Sequence, residues 1–336
     1  MWVAAGCVIA LTSACGGQPA AGSPARPRTS APVPTTPPGP PHWPLTGLPR
    51  AARTPIGPAV SVKIDNVASA RPQAGLNQAD VVFEVLVEGG LSRFLAVFNS
   101  KPARNIGPVR SVRPVDGALL RALHGGIFAY AGGVPAELAP AKAYSTAALL
   151  STLTDEPPFH RDTSRAAPSN LFTSTEAINA EAARRRVKAG PAAELFGYGP
   201  LNTTARSATR AAIGIGSDAN ASWTWSGRSW LRAEDGSAHR LADGSQVSAD
   251  NVLMLRVKVT HSGIVDAAGN EDPFVLAYGA GSAVLLRDGH QVTGHWSRPR
   301  VEAAYQFTDD RGAPLALTPG RTWVELVPPD GSITVR

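Results

Sequence analysis

The first regular alternation of apolar and polar positions begins after Pro58. PAVSVKID (58–65) reads as a strand, VVFEVLVE (81–88) alternates, Gly89-Gly90 makes a turn, and LSRFLAVFN (91–99) alternates again. A two-residue period broken by paired glycines predicts a β-hairpin. Pro114 then opens a helical stretch, VDGALLRAL, that ends at Gly125, because proline suits the first helical turn and glycine the helix end. A second helix is expected over AINAEAARRRVK, with Thr173 and Glu176 as a capping box before it and Gly190 after it.

Beyond about residue 206 the pattern is mostly strand. NVLMLRVKV, FVLAY, SAVLLR, AAYQF and TWVELV occur among turn dipeptides such as Asp235-Gly236, Asp243-Gly244 and Asp288-Gly289. The chain therefore reads as α+β: a mixed α/β N-terminal domain over residues 45–190, a Gly- and Pro-containing linker over 191–205, and a β-rich C-terminal domain over 206–336.

The start of the chain follows other rules. Residues 3–11 (VAAGCVIAL) are apolar but too few to span ~30 Å of hydrocarbon. Thr12, Ser13 and Ala14 then lead to Cys15, a lipobox-like ending that predicts a lipoprotein signal peptide over 1–15. Cys15 would carry acyl chains such as palmitate and anchor the mature chain. The first basic residue is Arg26, so the missing basic n-region points to a translation start upstream of Met1. Residues 16–44 hold ten prolines and little to bury, which predicts a disordered, semi-rigid stalk. The expected location is extracytoplasmic, lipid-anchored to the membrane of a bacterial cell.

Composition narrows the chemistry. A hydrophobic fraction of 43% over 336 residues allows two domains, and 33 glycines and 30 prolines imply many turns. The net charge of +6 is arginine-based, since only five of the 32 basic residues are lysine. With no zinc-finger or RRM signature and no long basic run, a nucleic-acid partner is not expected. Both cysteines, Cys7 and Cys15, precede the body, so it has neither disulfides nor a thiol nucleophile. The S-x-x-K, G-x-S-x-G and Walker A patterns are missing, and Gly214-Ile215-Gly216 leads into a strand-like segment rather than a helix. No two of the seven histidines have zinc-ligand spacing, and the acidic stretch 266–272 (DAAGNED) fails the calcium-loop pattern. No metal or cofactor is expected. The aromatic trios Trp223, Trp225, Trp230 and Trp296, Phe307, Trp323 read as core, with a sugar-stacking platform as the alternative.

The polar residues of the hairpin carry the functional expectation. Val81, Phe83, Val85 and Val87 make one apolar face, leaving Glu84 and Glu88 on the other. A two-residue turn would place Arg93 opposite Leu86, and a four-residue loop would place it opposite Glu88; either predicts a Glu, Arg, Glu cluster on one face. Four residues of strand are ~13 Å, too far for Glu84 and Glu88 to act as a glycosidase pair. Asp65 or Asp162 could add a carboxylate through folding. Arg104, Arg110, Ser111 and Arg113 run into the helix opened by Pro114, a favourable anion site. The competing reading is that these arginines neutralise Glu84, Glu88, Asp65 and Asp162 in a buried network.

Several long motifs resemble a known family. PLTGLP (44–49), KIDNVASARPQAGLNQADVVFEVLVEGGLSRFLAVF (63–98), IGPVRSVRP (106–114) and RDTSRAAPSNLFTS (161–174) closely resemble the N-terminal domain of the YerB-like lipoproteins. GHWSR (294–298) and Pro319, Gly320, Thr322 and Trp323 resemble the second domain of that family. The resemblance departs at Ser169, where the family pattern calls for His before Asn170-Leu171. It implies a membrane-attached bacterial protein built from domains of unknown function. The ligand-binding candidates are Asp65, Asn66, Arg71, Glu84, Glu88, Arg93, Arg104, Arg110, Ser111, Arg113, Arg161, Asp162, Arg165 and Asn170. The expected function is a non-catalytic cell-envelope binding or scaffold module that engages an anionic wall polymer or another envelope protein. The alternative is a metal-independent hydrolase or transferase acting on wall glycan through Asp65, Glu84 or Asp162.

Overall fold

Strands β1 (Val60–Asp65), β2 (Val81–Leu86) and β3 (Ser92–Phe98) are buried on both faces, although Ser61, Lys63 and Asp65 make one face of β1 polar. Such strands need a covering layer on each side. In the computed structural model the described residues are 40–144, 148–151, 157–265 and 269–336. Cys15, the signal segment, the stalk as far as Gly39 and residues 266–268 of the acidic stretch lie outside them.

The first half adds helix α1 (Pro114–Ala122), strand β4 (Ile127–Tyr130), helix α2 (Pro135–Tyr144), strand β5 (Ala148–Ser151) and helix α3 (Thr175–Arg184). The second half contributes β6 (Arg210–Gly216), β7 (Ala219–Trp225), β8 (Trp230–Glu234), β9 (Asn251–Arg256), β10 (Gly279–Arg287), β11 (His290–Arg298), β12 (Gln306–Asp309), β13 (Thr322–Val327) and β14 (Ser332–Val335). The described chain is strand-rich, and its three α-helices all fall in the first half. None of them is long and apolar enough to cross a membrane.

One sheet joins the two halves. Its order is β12-β11-β10-β9-β13-β2-β3-β1-β4-β5. Strand β13 runs parallel to both neighbours, with Thr322 opposite Asn251 of β9 and Val81 of β2. A strand from near the end of the chain is thus laid between the two halves. On one face Val115, Ala118 and Leu119 of α1 pack with Phe83, Val85, Leu95 and Val324. On the other, a second sheet built from β8, β7, β6 and β14 brings Ile213, Ile215, Trp223 and Trp230 against Val82, Phe94, Met254 and Trp323. Trp223, Trp230, Trp296 and Trp323 are at most 2% exposed, so they are core and not a sugar platform.

Several local expectations change. Ser174, not Thr173, caps α3, its hydroxyl accepting from Ala177 N at 3.0 Å. Thr173 is buried and donates to the Pro158 carbonyl. Helix α2 escapes a propensity reading because it contains Pro140. Residues 191–205 do not run free: Ala192, Leu195 and Phe196 enter the core and Tyr198 bridges to Leu317. The PLTGLP and Pro319-Gly320 motifs meet, with Gly320 N donating to Thr46 O at 2.8 Å.

Because β13 completes the sheet between β9 and β2, the two halves are expected to unfold together. Scanning calorimetry of the full chain should show a single transition. Residues 45–190 expressed alone leave the β2 edge unpaired and should give no cooperative melt; a separate, reversible transition for that fragment would contradict the shared-sheet account.

Candidate functional site

The hairpin turn decides where the polar residues go. Five residues, 87–91, connect β2 to β3, and Val87 N donates to Leu91 O at 2.9 Å. Gly89 and Gly90 both adopt positive φ, 69° and 71°, which glycine tolerates without a Cβ clash. The resulting register sets Arg93 opposite Val85 and Phe94 opposite Glu84. Both expected registers are therefore corrected, the nearer by one residue. A one-residue slip exchanges faces, so Arg93 shares the face of Val85 and Leu95, and Glu84 points to the opposite layer. The single Glu, Arg, Glu cluster becomes two separate networks.

The first network gathers around the start of α1. Glu88 turns back from the loop and accepts from Arg93 Nη2 at 2.8 Å and Arg113 Nε at 2.7 Å, with a further contact from Arg113 Nη2. Arg113 also meets Glu137 at 3.0 Å and Asp272 at 3.6 Å. Asp65 accepts from Arg110 Nε at 2.9 Å and lies 3.9 Å from Arg93. Ser111 takes part through its carbonyl, which accepts from Arg93 at 3.3 Å. Beneath these, Lys63 donates to Asp116 at 2.7 Å, and Asp116 also caps α1 by accepting from Arg113 N. The helix N-terminus is thus occupied from within the chain and does not present an open anion site.

Burial and charge pull the acids of this network in different directions. Burial alone would raise Glu88, but hydrogen bonds from Arg113 and the charges of Arg93 and Arg113 hold it at about 2. Asp272 is pushed up to about 7 by burial; Arg113 pulls it back, while Glu88 and Glu137 push it further up. Neither Asp272 oxygen accepts a hydrogen bond among the described residues. Burial lowers Lys63, against the attraction of Asp116.

The second network lies between the two sheets. Arg232 of β8 is fully buried and donates to Glu84 at 2.7 Å, to Glu234 at 2.5 Å and to Nδ1 of His239 at 2.6 Å. Its guanidinium stands 5.1 Å from the Trp323 ring centroid and 5.5 Å from that of Phe94, within cation–π range. Because Arg232 occupies Nδ1 as a donor, His239 carries its proton on Nε2 and donates to Gln73 Oε1 at 2.9 Å. Burial, then the charges of Arg232 and Arg71, lower His239 to about 2, so it is neutral at ordinary pH. Glu84 also accepts from Ser92 at 2.7 Å. Glu325, paired across β13 with Glu84 and bonded to Trp223 Nε1 at 3.0 Å, is raised by burial and by the Glu84 charge. Asn66 and Arg71 reach Glu234, and Arg71 extends to Asp235 at the surface.

The remaining candidates stand apart. Arg161 donates to Asn170 at 2.7 Å, Asp162 accepts from the Ser164 hydroxyl at 2.6 Å, and Arg165 donates to the Pro72 and Ala70 carbonyls. Asp162 therefore joins neither network. Ser169 is buried. Arg104 is exposed beside Asn105, Gln78 and Asp243 in a groove of about 480 Å³. Sequence reasoning missed Lys63, Asp116, Glu137, Arg232, Glu234, His239, Asp272 and Glu325. For Arg232 and Glu234 a signal existed, since strand alternation places both on the buried face of Trp230.

Two consequences can be measured. Arg113→Gln strands Glu88, Glu137 and Asp272 and should cost about 3–5 kcal/mol in urea unfolding, the range for a broken buried pair. The more exposed Arg110→Gln should cost less. An unchanged midpoint for Arg113→Gln would remove the arginine from the stabilising network. For Asp272 the folded carboxyl titrates above the unfolded one, so its stabilising contribution is full below pH ~4 and is lost as pH rises through about 7. Asp272→Asn, which cannot ionise, should then gain stability relative to the unaltered chain as pH rises from ~4 to ~8; a relative loss over that range would show that the charge on Asp272 is needed.

The comparisons with known proteins agree with this architecture. Residues 45–188 match the model of the N-terminal domain of a protein of unknown function, DUF3048, and residues 212–324 match that of its C-terminal domain. The chain is 28% identical over 304 residues to a Bacillus subtilis (strain 168) protein named "Putative lipoprotein YerB", covering 85% of this chain and 86% of that protein. The crystal structure of YerB from Bacillus subtilis superposes with a TM-score of 0.73 at 25% identity, covering 87% of this chain and 99% of that one. With both domain models matched in order and a solved relative of the same architecture, the chain belongs to the DUF3048 family, homologous to YerB.

Proposed function

We propose that the chain is a membrane-tethered, extracytoplasmic module that binds a cell-envelope partner without transforming it. The observation that carries this reading is that the charged side chains resembling a site are spent on each other. Glu84 and Asp65 are at most 1% exposed and each holds an arginine, so neither is placed to take a proton from a substrate. Asp162 sits in a loop and is lowered by its hydrogen bonds from Ser164, the wrong direction for a general acid. The alternative of metal-independent wall-glycan hydrolysis through these carboxylates has correspondingly less support. Tethering is supported by the lipobox-like Cys15 and by the lipoprotein name of the Bacillus relative. A body whose halves share one sheet suits display on a stalk, because it presents its surfaces in fixed relation.

Cys15→Ser, expressed with any upstream start, should leave the body folded and move the protein from the membrane fraction to the soluble one. Incubating the full chain with a panel of solubilised wall polymers, and assaying both retained polymer and released fragments, should give retention without release. Fragment release would overturn the binding reading, and detergent-dependent membrane association of Cys15→Ser would overturn the anchor.

A further inference from the structure

Arg104 is a charge that neither network takes up, and it opens onto a groove formed by both halves of the chain. The floor includes Ala74 and Leu241, both buried. One wall comes from the first half and carries Gln78, Arg104 and Asn105; the other is the turn that holds Asp243. Gly244 N donates to Leu241 O at 2.9 Å to close that turn, and Ala242 N donates to Gln73 O at 2.8 Å to fix it against the first half. Gly75 keeps the floor low. Its φ is 90°, and a Cβ there would stand 2.8 Å from Asn105 O, so only glycine fits without strain. The groove between the walls measures about 480 Å³.

The polar groups of this groove face it without internal partners. The side chains of Gln78, Arg104 and Asn105 bond to no other group among the described residues. Asp243 serves only its own turn: the Ser245 hydroxyl and backbone N donate to its Oδ1 at 2.6 Å and 2.9 Å. Those bonds hold its carboxyl below the usual range, so it is charged at ordinary pH, and Oδ2 stays open. Arg104 and Asp243 therefore line one groove with opposite charges, yet no ion pair joins them among the described residues. In both buried networks opposite charges close on each other. Here they sit on different walls, beside two free amides.

We infer that this groove binds a short peptide with small side chains, its carboxylate on Arg104, its ammonium on Asp243 and its amides on Gln78 and Asn105. A guanidinium meets a carboxylate through its planar fork, and an ammonium needs an acceptor such as the open Asp243 oxygen. A primary amide both donates and accepts, so Gln78 and Asn105 can each answer the N–H and C=O of a peptide group. The apolar floor suits methyl side chains. A polyanion would meet the charge of Asp243, and a neutral glycan would leave both charges without a counterpart. The inference rests on the binding reading above and gives that reading a site and a ligand class.

The test uses the full chain in detergent, with trialanine as probe and binding followed by ligand-detected NMR. N-acetyl-trialanine lacks the ammonium, the C-terminal amide of trialanine lacks the carboxylate, and maltotriose carries neither charge. Trialanine should bind, and each blocked peptide should bind roughly tenfold more weakly. Arg104→Gln should weaken trialanine by a similar factor and leave the C-terminal amide unaffected. Asp243→Asn should weaken trialanine and leave the N-acetyl peptide unaffected, because in each case the lost partner is already absent. Both variants should keep the melting temperature, since Arg104 is exposed and the new amide at 243 still offers Ser245 an oxygen. Unchanged trialanine affinity in either variant overturns the contact proposed for that residue; in both, it overturns the groove and leaves the binding reading standing. Tighter binding of maltotriose than of trialanine overturns the ligand class. If trialanine does not bind, the assignment fails, and the binding reading falls with it only if the wall-polymer panel is also not retained.

Discussion

Arg232 is the constraint around which the molecule is arranged. A guanidinium with no exposure must be compensated, because an unpaired buried charge is among the most costly features a fold can carry, and in Arg232 both terminal nitrogens are bonded while Nε is not. Its compensation comes from both halves: Glu84 from β2, and Glu234 and His239 from the second sheet. Trp323 of the inserted strand supplies an aromatic face. Glu234 lies on the strand of Arg232 itself, but Glu84 and Trp323 reach the guanidinium only when β13 lies against β2 and the small sheet covers them. The buried charge therefore favours one arrangement of the two halves over less specific apolar packings, at the cost of its own desolvation.

The two networks handle excess acid differently. Around Arg232 the surplus negative charge falls on Glu325, which burial and the Glu84 charge raise. Around Arg113 the same pressure falls on Asp272, which comes from the hairpin formed by Lys258–Val265 and Glu271–Leu276. The Lys258–Val265 strand of that hairpin is largely exposed, and the Glu271–Leu276 strand touches the body at α1, the Glu88 turn and β2. The interior network meets the surface through Arg71 and Asp235, whereas the peripheral one couples a titrating group to a projecting element.

Much of the local structure was legible in the sequence, because it rests on near-neighbour rules. Strands β1 to β3, helix α1 with Pro114 at its start, and the strands near Trp323 all follow from alternation and helix signals. The order of strands was not legible, since laying residues 322–327 beside residues 81–86 is a non-local event. The candidate site was half legible. Asp65, Glu88, Arg93, Arg110 and Arg113 do converge, but the Gly89-Gly90 loop shifts the register and sends Glu84 to the other layer. The partners that turn both groups inward, Arg232 and Asp272, lie more than a hundred residues away from them. Local reasoning found the charges and missed what neutralises them.

The position of β13 also sets an order of events. A polypeptide that emerges from its N-terminus makes β1 to β3 early, yet β2 gains its other neighbour only when residues 322–327 arrive. Until then the β2 edge lacks its second neighbour, and Trp323 is missing from the layer around Glu84. Such a chain completes its folding late, once nearly its whole length is available. The strand laid between the halves is then the step that commits the molecule to its shape.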